Sequence, residues 1–374
     1  MVSLARSSLI FEWRRYLAAV LAVTFSGLLV VVQLALLLGM FSTVSVVIDK
    51  SAADLWLGFH NTQSVDLGRP ISESSDAVAW AHPGVEQIER YVSAYGDLRR
   101  GDGAPVSVVI NAIDTSSQAL VFGHLLSAQD RALLREPHAI LIDVADTVKL
   151  SAAVGTIVEI NGKRARIAGV VEGIRAIGGV NVITSFATAR SLAPETAEQV
   201  IYYLIRLKPG FEPDVVASEI ADKSPIPRYS VWTARTFSVQ SQTYWLLESG
   251  AGIGAGFASL LAMIVGIVIT SQTLSGAILA SIKEFAALRA LGVSQRSLRA
   301  IVIEQSLWVG AIGLAATATL TALIAWLSDQ WQIAMTFPGW LLTGVAVSMI
   351  GIAVLSGLMA MRPLLRAEPA SLLR

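Results

Sequence analysis

The chain has 374 residues, of which 54% are hydrophobic and only 15% charged, with 28 basic and 28 acidic side chains. A soluble domain averages about 25% charged residues, so this composition favours a membrane protein, and the balanced charge argues against nucleic-acid binding. Cysteine is absent, which excludes disulfides, iron–sulfur clusters and thiolate zinc sites.

Four runs without Asp, Glu, Lys or Arg divide the chain, at 16–48, 249–282, 305–328 and 330–361. Each exceeds the ~20 residues that cross a ~30 Å hydrocarbon core. We therefore predict transmembrane helices at about 17–40, 252–279, 306–327 and 340–361. The alternative is a set of buried core helices in a soluble protein.

Residues 1–48 hold the first span and a short segment before it. Leu9, Trp13 and Leu17 follow one another at four-residue spacing, while three arginines occupy other positions around the helix axis. This pattern predicts an interfacial helix on the membrane surface that leads into the span. The apolar stretch is longer than that of a signal peptide, so we expect it to be retained.

Residues 49–248 are long enough to form a domain with its own core, and their pattern is mixed α/β. Two alternating segments flank Asn161-Gly162, which is the strongest short signal for a β-hairpin. A second stretch, 200–233, is typical of strand, Pro-Gly turn, helix and strand, with Val215, Val216, Ile220 and Ala221 on one buried helix face. Polar, turn-rich composition at 60–80 and 97–105 is consistent with a division into subdomains.

No catalytic motif is found in this region. The nearest approach to a phosphate-binding loop, Gly155 to Arg164, has the wrong glycine spacing and no Ser or Thr for magnesium. The four histidines are scattered singly, and neither a serine-hydrolase elbow nor a metalloprotease motif occurs. We expect no catalytic residue, metal site or cofactor site in this chain.

The second predicted span, within 249–282, begins with glycines at alternate positions, namely Gly250, Gly252, Gly254 and Gly256. Pairs of glycines four residues apart let two helix backbones approach closely. We take the two pairs, Gly250/Gly254 and Gly252/Gly256, as a dimer interface, with packing onto another span of the same chain as the alternative.

Residues 283–305 place charges between two apolar spans. The stretch predicts a helix with a basic surface and an apolar stripe, broken at Gly292 by a left-handed turn. Ser294 can then cap a second helix, with Val293 and Leu298 placed as a hydrophobic staple. An apolar helix stripe that is not covered by its own chain, at a membrane surface, is expected to pack into a groove of another protein or against lipid.

The remaining segments are the third span, a short external loop at 328–339, the fourth span and a basic tail at 362–374. Lys and Arg are concentrated before the first span, in 283–305 and in the tail, whereas 328–339 has only an acidic charge. The positive-inside rule therefore predicts cytoplasmic termini, a cytoplasmic 283–305 segment and an extracytoplasmic 49–248 domain.

Several stretches resemble ABC-transporter permeases of the MacB and FtsX class. The clearest is KEFAALRALGVSQRSLRAIVIEQ after the second span, and the order of one span, a large external domain and three spans is the same. VGTIVEINGKRARIAGVV and IYYLIRLKPGFEPDVVASEI look like parts of the MacB-like periplasmic domain, and the tail RPLLRAEPASLLR is similar to the family's ending. VVQLALLLGMFSTV followed by ADLWLG looks most like the DevC branch, whose permeases are expressed apart from their ATPase.

The resemblance implies an α-helical membrane protein with four transmembrane helices and an inserted mixed α/β extracytoplasmic domain, in the bacterial inner membrane. It implies a homodimeric permease on a dimeric ABC ATPase that binds ATP and Mg²⁺, with a periplasmic adaptor, an outer-membrane channel and membrane lipids as further partners. The ATPase-coupling residues would be Lys283, Glu284, Phe285, Leu288, Arg289, Leu291, Gly292, Arg296 and Arg299.

Three functions fit this pattern. The first is export of a lipid, glycolipid or other amphiphile. The second is an FtsX-like transmitter that activates an extracytoplasmic cell-wall hydrolase. The third is a membrane receptor without an ATPase. A neighbouring adaptor, a neighbouring hydrolase or the absence of any ATPase partner would distinguish them.

Overall fold

The computed structural model describes residues 11, 13–100, 103–176, 179–197, 199–222, 227–248, 250–280, 287, 291–331 and 333–360. The chain divides into two compact units. The membrane unit comprises residues 1–39 and 253–374, and the external unit comprises residues 40–252.

Eleven helices and nine strands are described. The helices are α1 (Trp13–Ser42), α2 (Val46–Asp49), α3 (Asp76–Trp80), α4 (Ala128–Leu133), α5 (Asp146–Leu150), α6 (Phe186–Leu192), α7 (Pro213–Ile220), α8 (Ala234–Leu247), α9 (Gly250–Ala280), α10 (Gln295–Gln330) and α11 (Gly339–Ala360). The strands are β1 (Leu55–Phe59), β2 (Val85–Arg99), β3 (Pro105–Ile113), β4 (Ala139–Asp143), β5 (Ile157–Ile160), β6 (Lys163–Val171), β7 (Val180–Ser185), β8 (Tyr202–Leu207) and β9 (Tyr229–Thr233).

Four helices are long and apolar enough to cross a membrane: α1, α9, α10 and α11. The predicted fold class, four spans with an inserted mixed α/β domain, is confirmed. One difference lies in α10, which is a single helix of 36 residues. Because no glycine or proline interrupts 295–306, the helix capped by Ser294 continues directly into the third span.

Helices α1, α10 and α11 pack closely against one another. Tyr16 and Val23 of α1, Val302 and Val309 of α10 and Met349 of α11 share one buried cluster. Small residues permit this approach: a Cβ on Gly313 would lie 2.7 Å from a methyl of Val23, and one on Gly27 would lie 3.0 Å from Thr317 Oγ1. A side chain at either glycine would separate these helices.

Helix α9 is less enclosed than α1. In their most apolar windows, 50% of α1 is buried but only 18% of α9. The hydrogen bonds described between them centre on Ser26, whose Oγ donates to the carbonyl of Gly266 (3.2 Å) and accepts from Thr270 Oγ1 (3.4 Å). Most of the surface of α9 is thus left open by its own chain.

The external unit is built on one nine-stranded sheet, in the order β3-β7-β4-β6-β5-β2-β8-β1-β9. Strand β2 joins its two halves, because Val85–Tyr91 pair with β8 and Val92–Arg99 pair with β3. The turn-rich stretch at 97–105 lies at the β2–β3 hairpin, and the sheet is continuous through β2. A subdomain boundary at that stretch is therefore not seen in the sheet.

The predicted hairpin is confirmed. Strands β5 and β6 pair antiparallel from Ile160 and Lys163 outward, around Asn161 (φ 50°) and Gly162 (φ 75°). Positive φ at both central residues is the type I′ geometry that Asn-Gly favours. Val158 and Ile167 point into the core, as their alternation predicts.

The strand, helix and strand of 200–233 are also present, as β8, α7 and β9. Val216 and Ile220 are buried as predicted, but Val215 is 54% exposed. Its prediction was wrong because the buried face of α7 is completed by Ala217, one position on the other side of Val216. Ala221 lies after the end of the helix.

An aromatic cluster fills the core between β1, β2, β8 and α8. Trp56 is fully buried, and its ring centroid lies 5.5 Å from that of Tyr202 and 6.0 Å from those of Tyr91 and Phe237. Phe237 belongs to α8, and its ring stacks on Trp232 of β9 at 4.5 Å. The cluster thus fixes α8 against the strand that follows α1.

A buried carboxyl holds the loop at 114–121. Glu89 of β2 is 6% exposed and accepts hydrogen bonds from the backbone N–H groups of Leu120, Asp114 and Val121. Arg131, also buried, donates to the carbonyls of Asp114 and Val121 in the same loop. Burial raises the pKa of Glu89 to about 7, against the opposing effect of the backbone N–H donors.

This pKa predicts that the external unit is more stable at pH 5 than at pH 8. A carboxyl with a raised folded pKa binds more protons when folded, so its contribution is complete below the unfolded value of 4.5 and is lost as pH rises through 7. The free energy of unfolding should be roughly 3 kcal/mol higher at pH 5 than at pH 8. Glu89→Gln should remove most of this slope in thermal unfolding of the full chain between pH 5 and 8.

Burial also raises the pKa of Asp146, to about 6, so a smaller slope of the same sign should remain in that variant. Glu86→Gln is the matched control, since Glu86 is exposed on the same strand. An unchanged slope in Glu89→Gln would contradict the assignment.

Candidate functional site

A sharp turn precedes α10, within the 283–305 segment that sequence analysis singled out. Gly292 has φ +88°, which a side chain would strain, and the N–H of Leu291 donates to the carbonyl of Ala287 at 3.0 Å. Ser294 is extended (φ −68°, ψ 152°), and its Oγ accepts from the N–H of Ser297 at 3.2 Å. The left-handed glycine and the Ser294 cap are both as predicted.

The first turns of α10 have two different faces. Leu298 and Val302, four residues apart, are 1% and 0% exposed and lie in the cluster with Tyr16 of α1. Val293 packs on the same cluster, as the predicted staple requires. The start of α10 is therefore held rigidly by the membrane bundle.

The opposite face is exposed. Leu291 is 82% exposed, and Arg296 and Arg299 are also at the surface. Neither arginine has an ion-pair partner in the part of the chain that the structure describes. An exposed leucine beside two unpaired cations on a fixed helix can insert into a groove with an acidic rim, or meet anionic headgroups.

Five of the nine predicted coupling residues lie outside the described residues: Lys283, Glu284, Phe285, Leu288 and Arg289. The other four are all exposed: Leu291 and Gly292 in this turn, and Arg296 and Arg299 in the first turns of α10. The coupling role of all nine remains a prediction.

Three of the four glycines at the start of α9 are open towards the described part of the chain. A Cβ added at Gly250, Gly254 or Gly256 would meet no described atom within 4 Å, whereas one at Gly252 would meet the carbonyls of Trp245 and Leu246. Exposed apolar side chains, including Ile253 and Phe257, lie beside these glycines. A second helix could therefore approach Gly250, Gly254 or Gly256 without meeting a described atom there.

Sequence analysis missed one buried amide at the base of α10. Gln305 is 2% exposed, and its Oε1 has no hydrogen-bond partner among the described residues. The residue directly follows Glu304, so the charge boundary placed it in the 283–305 segment and outside the predicted third span. Among the described residues there is no group of three or more His, Asp or Glu side chains placed to hold a metal ion.

Two family matches cover most of the chain. The MacB-like periplasmic core domain matches residues 16–223, and the FtsX-like permease C-terminal domain matches residues 256–369. The architecture defines a four-span permease of the ABC-transporter type, and permeases of this class work with an ABC ATPase. The chain belongs to the family of the MacB-like periplasmic core domain, and its residues 256–369 are similar to the FtsX-like permease C-terminal domain.

Three solved structures are similar to the external unit. The periplasmic region of MacB from Actinobacillus actinomycetemcomitans is 12% identical, with 51% of this chain and 94% of that chain covered and a TM-score of 0.36. The extracellular domain of the noncanonic ABC-type transporter YknZ from Gram-positive bacteria is 13% identical, with 48% and 99% covered and a TM-score of 0.33. A domain of a permease protein from Porphyromonas gingivalis is 16% identical, with 48% and 88% covered and a TM-score of 0.32. No curated protein matched the chain.

Proposed function

We propose that this chain is the membrane subunit of an ABC exporter, in which a separate ATPase binds ATP and Mg²⁺ and drives motion of the external domain. The observation that carries the proposal is an exposed turn with Leu291, followed by exposed Arg296 and Arg299 at the start of α10, whose Leu298 and Val302 are buried in the bundle. A fixed helix with an exposed apolar contact can transmit a push from a partner into the membrane.

The motion would travel through α9. This helix follows the external unit, precedes the coupling segment and is the least enclosed of the four spans. The hydrogen bonds described between α9 and α1 run through Ser26, so a shift of α9 relative to α1 would disturb few of these bonds. We propose export of a lipid, glycolipid or other amphiphile, with an adaptor and an outer-membrane channel, as in the DevC branch.

The proposed location is the bacterial inner membrane. The distribution of Lys and Arg in the flanks supports cytoplasmic termini and a cytoplasmic coupling segment. Residues 49–248 would then lie in the periplasm, where an adaptor can reach them.

We further propose a homodimer formed through the glycines of α9, because a Cβ at Gly250, Gly254 or Gly256 would meet no described atom within 4 Å. Oxidation of a Gly256→Cys variant in membranes should give a disulfide-linked dimer, since the native chain has no cysteine. The yield would be read by non-reducing electrophoresis.

Leu261→Cys is the control for this crosslink. Leu261 is 44% exposed on the same helix and lies about 140° further around its axis. Equal crosslinking at both positions, or none at Gly256→Cys in a folded and inserted variant, would contradict the interface.

The proposed function is tested by mild-detergent purification of the tagged native chain, with identification of co-purifying chains and an ATP hydrolysis assay. An ABC ATPase together with an adaptor would support export, and an ATPase together with a cell-wall hydrolase would favour the FtsX-like role. A preparation without any ATPase, repeated after crosslinking in cells, would refute the transporter assignment and favour a receptor.

A further inference from the structure

A groove of about 1180 Å³ opens in the external unit between the loop that follows β1 and the start of β9. Its lining includes Phe59, His60, Arg69, Ser72, Arg228 and Tyr229. The loop belongs to the polar, turn-rich stretch at 60–80, to which the proposed function assigns no role. The volume is somewhat larger than the ~300–1,000 Å³ that is usual for small-molecule sites.

The end of β1 brings the cationic side chains together. The chain turns after Phe59, where the N–H of Thr62 donates to the Phe59 carbonyl at 3.3 Å. The next backbone contact runs from the N–H of His60 to the carbonyl of Arg228, also 3.3 Å. The guanidinium of Arg69 lies over the ring of Phe59, 5.5 Å from its centroid. Both arginines therefore flank one short stretch, Phe59-His60.

The loop wall of the groove is fixed by contacts on the side facing the domain. Ile71 pairs with Val200 through a hydrogen bond of 2.8 Å from its N–H, and Tyr202 Oη donates to the carbonyl of Val65 at 3.0 Å. Gln240 of α8 donates to the carbonyl of Thr62 at 2.8 Å. This wall of the groove is thus formed before any ligand arrives, which lowers the entropic cost of binding.

The charge of the groove is one-sided. In the described part of the chain, neither Arg69 nor Arg228 has a hydrogen bond or ion pair to its guanidinium. No Asp or Glu is among the residues that line the groove. The nearby carboxylate of Asp222 accepts from the backbone N–H of Arg228 (2.8 Å). Two guanidinium groups that line one concave surface, without a described anionic partner, concentrate positive potential there.

The lining is also partly apolar. Phe59, Leu67, Ile71 and Val78 lie among serine, threonine and asparagine side chains. Guanidinium groups suit phosphate and carboxylate because they form charge-assisted, two-point hydrogen bonds. Apolar side chains next to such a site suit a molecule that carries both an anionic group and a hydrocarbon part.

We propose that this groove binds the anionic head group, phosphate or carboxylate, of an amphiphile through Arg69 and Arg228. That the amphiphile is the transported substrate rests on the proposed export function. The binding site itself does not depend on it, because all groups that form the groove belong to the external unit.

The test uses the full chain in nanodiscs of phosphatidylcholine, titrated calorimetrically with dihexanoyl phosphatidic acid after subtraction of empty discs. The double variant Arg69→Gln/Arg228→Gln should raise the Kd at least about tenfold. Arg190→Gln, which removes an exposed arginine of α6 outside the groove, should leave it unchanged. Binding should also weaken between 50 and 500 mM salt, as screening requires.

Two further titrations separate the sources of binding. Dihexanoyl phosphatidylcholine should bind at least about tenfold more weakly than the acid, because it has no net negative charge. Inorganic phosphate should bind more weakly again, because it has no hydrocarbon part. Equal binding of phosphate and phosphatidic acid would overturn the amphiphile assignment. Unchanged phosphatidic acid binding in the double variant would overturn the site.

Failure of the export function is distinguishable from failure of this inference. Phosphatidic acid binding that needs both arginines, in a chain that co-purifies with no ATPase, would leave the site standing and remove its role in transport. An associated ATPase whose hydrolysis responds to phosphatidic acid in wild type, and equally in the double variant, would keep export and overturn the groove.

Discussion

Replacing Leu291 with aspartate should release the ATPase from the permease and abolish stimulated ATP hydrolysis. The side chain is 82% exposed in the chain alone, so the substitution should cost little folding free energy. In a complex, the leucine would be buried in an ATPase groove, and an unpaired carboxylate placed there would cost several kcal/mol. We expect at least about a hundredfold loss of association, measured by co-purification and by hydrolysis in the same eluate.

Val148→Asp is the matched control for this experiment. Val148 is 85% exposed on α5 of the external unit, so it tests the effect of an added surface aspartate alone. The control should retain the ATPase. Full hydrolysis and co-purification in Leu291→Asp would refute the coupling role of this turn and favour a lipid-facing loop.

Truncation of Trp56 to alanine should destabilise the external unit by about 3–5 kcal/mol, the range for large buried aromatic side chains. Trp56 is fully buried among three aromatic rings, and its Nε1 has no hydrogen-bond partner among the described residues, so packing alone holds it. Amide hydrogen exchange of the β1 peptide in the full chain should accelerate by about two to three orders of magnitude.

Trp80→Ala provides the comparison, because Trp80 is 51% exposed on α3. It should change exchange at β1 by less than about threefold. Trp56→Phe should cost less than the alanine variant, since it keeps an aromatic ring and removes an N–H without a partner. Equal exchange in all three variants would show that the cluster does not limit local opening.

Local patterns in the sequence predicted local structure well. The charge-free runs located the four spans, since length and hydropathy alone decide which segments enter a bilayer. Asn161-Gly162 and Ser294 were also recognisable, because turn and cap geometry depend on neighbouring residues. The prediction for Val215 failed because α7 has an apolar residue on each side of Val216, Val215 and Ala217, and only tertiary packing decides which of the two is buried.

Long-range pairing could not be predicted in the same way. Strands β1 and β9 are neighbours although about 170 residues separate them, and β2 changes partners halfway along its length. The arginines of the groove, Arg69 and Arg228, belong to these distant segments, so no local motif joins them. Likewise, a single sequence shows a glycine pattern in α9 but not whether its own chain covers it.

The pairing of β1 with β9 has a mechanical consequence. Strand β1 begins at Leu55 and follows α1 and α2 in the chain, whereas β9 ends at Thr233 and is followed by α8 and α9. Leu55 and Thr233 are paired at one end of the β1–β9 ladder. Pulling the two attachments apart would peel the strands from that end, one hydrogen-bonded pair at a time. The neighbouring pair is Trp56 with Trp232, next to Phe237, so the aromatic rings lie where such a tear would start. A displacement shared by both attachments would meet no such resistance, and the domain would move as one solid piece.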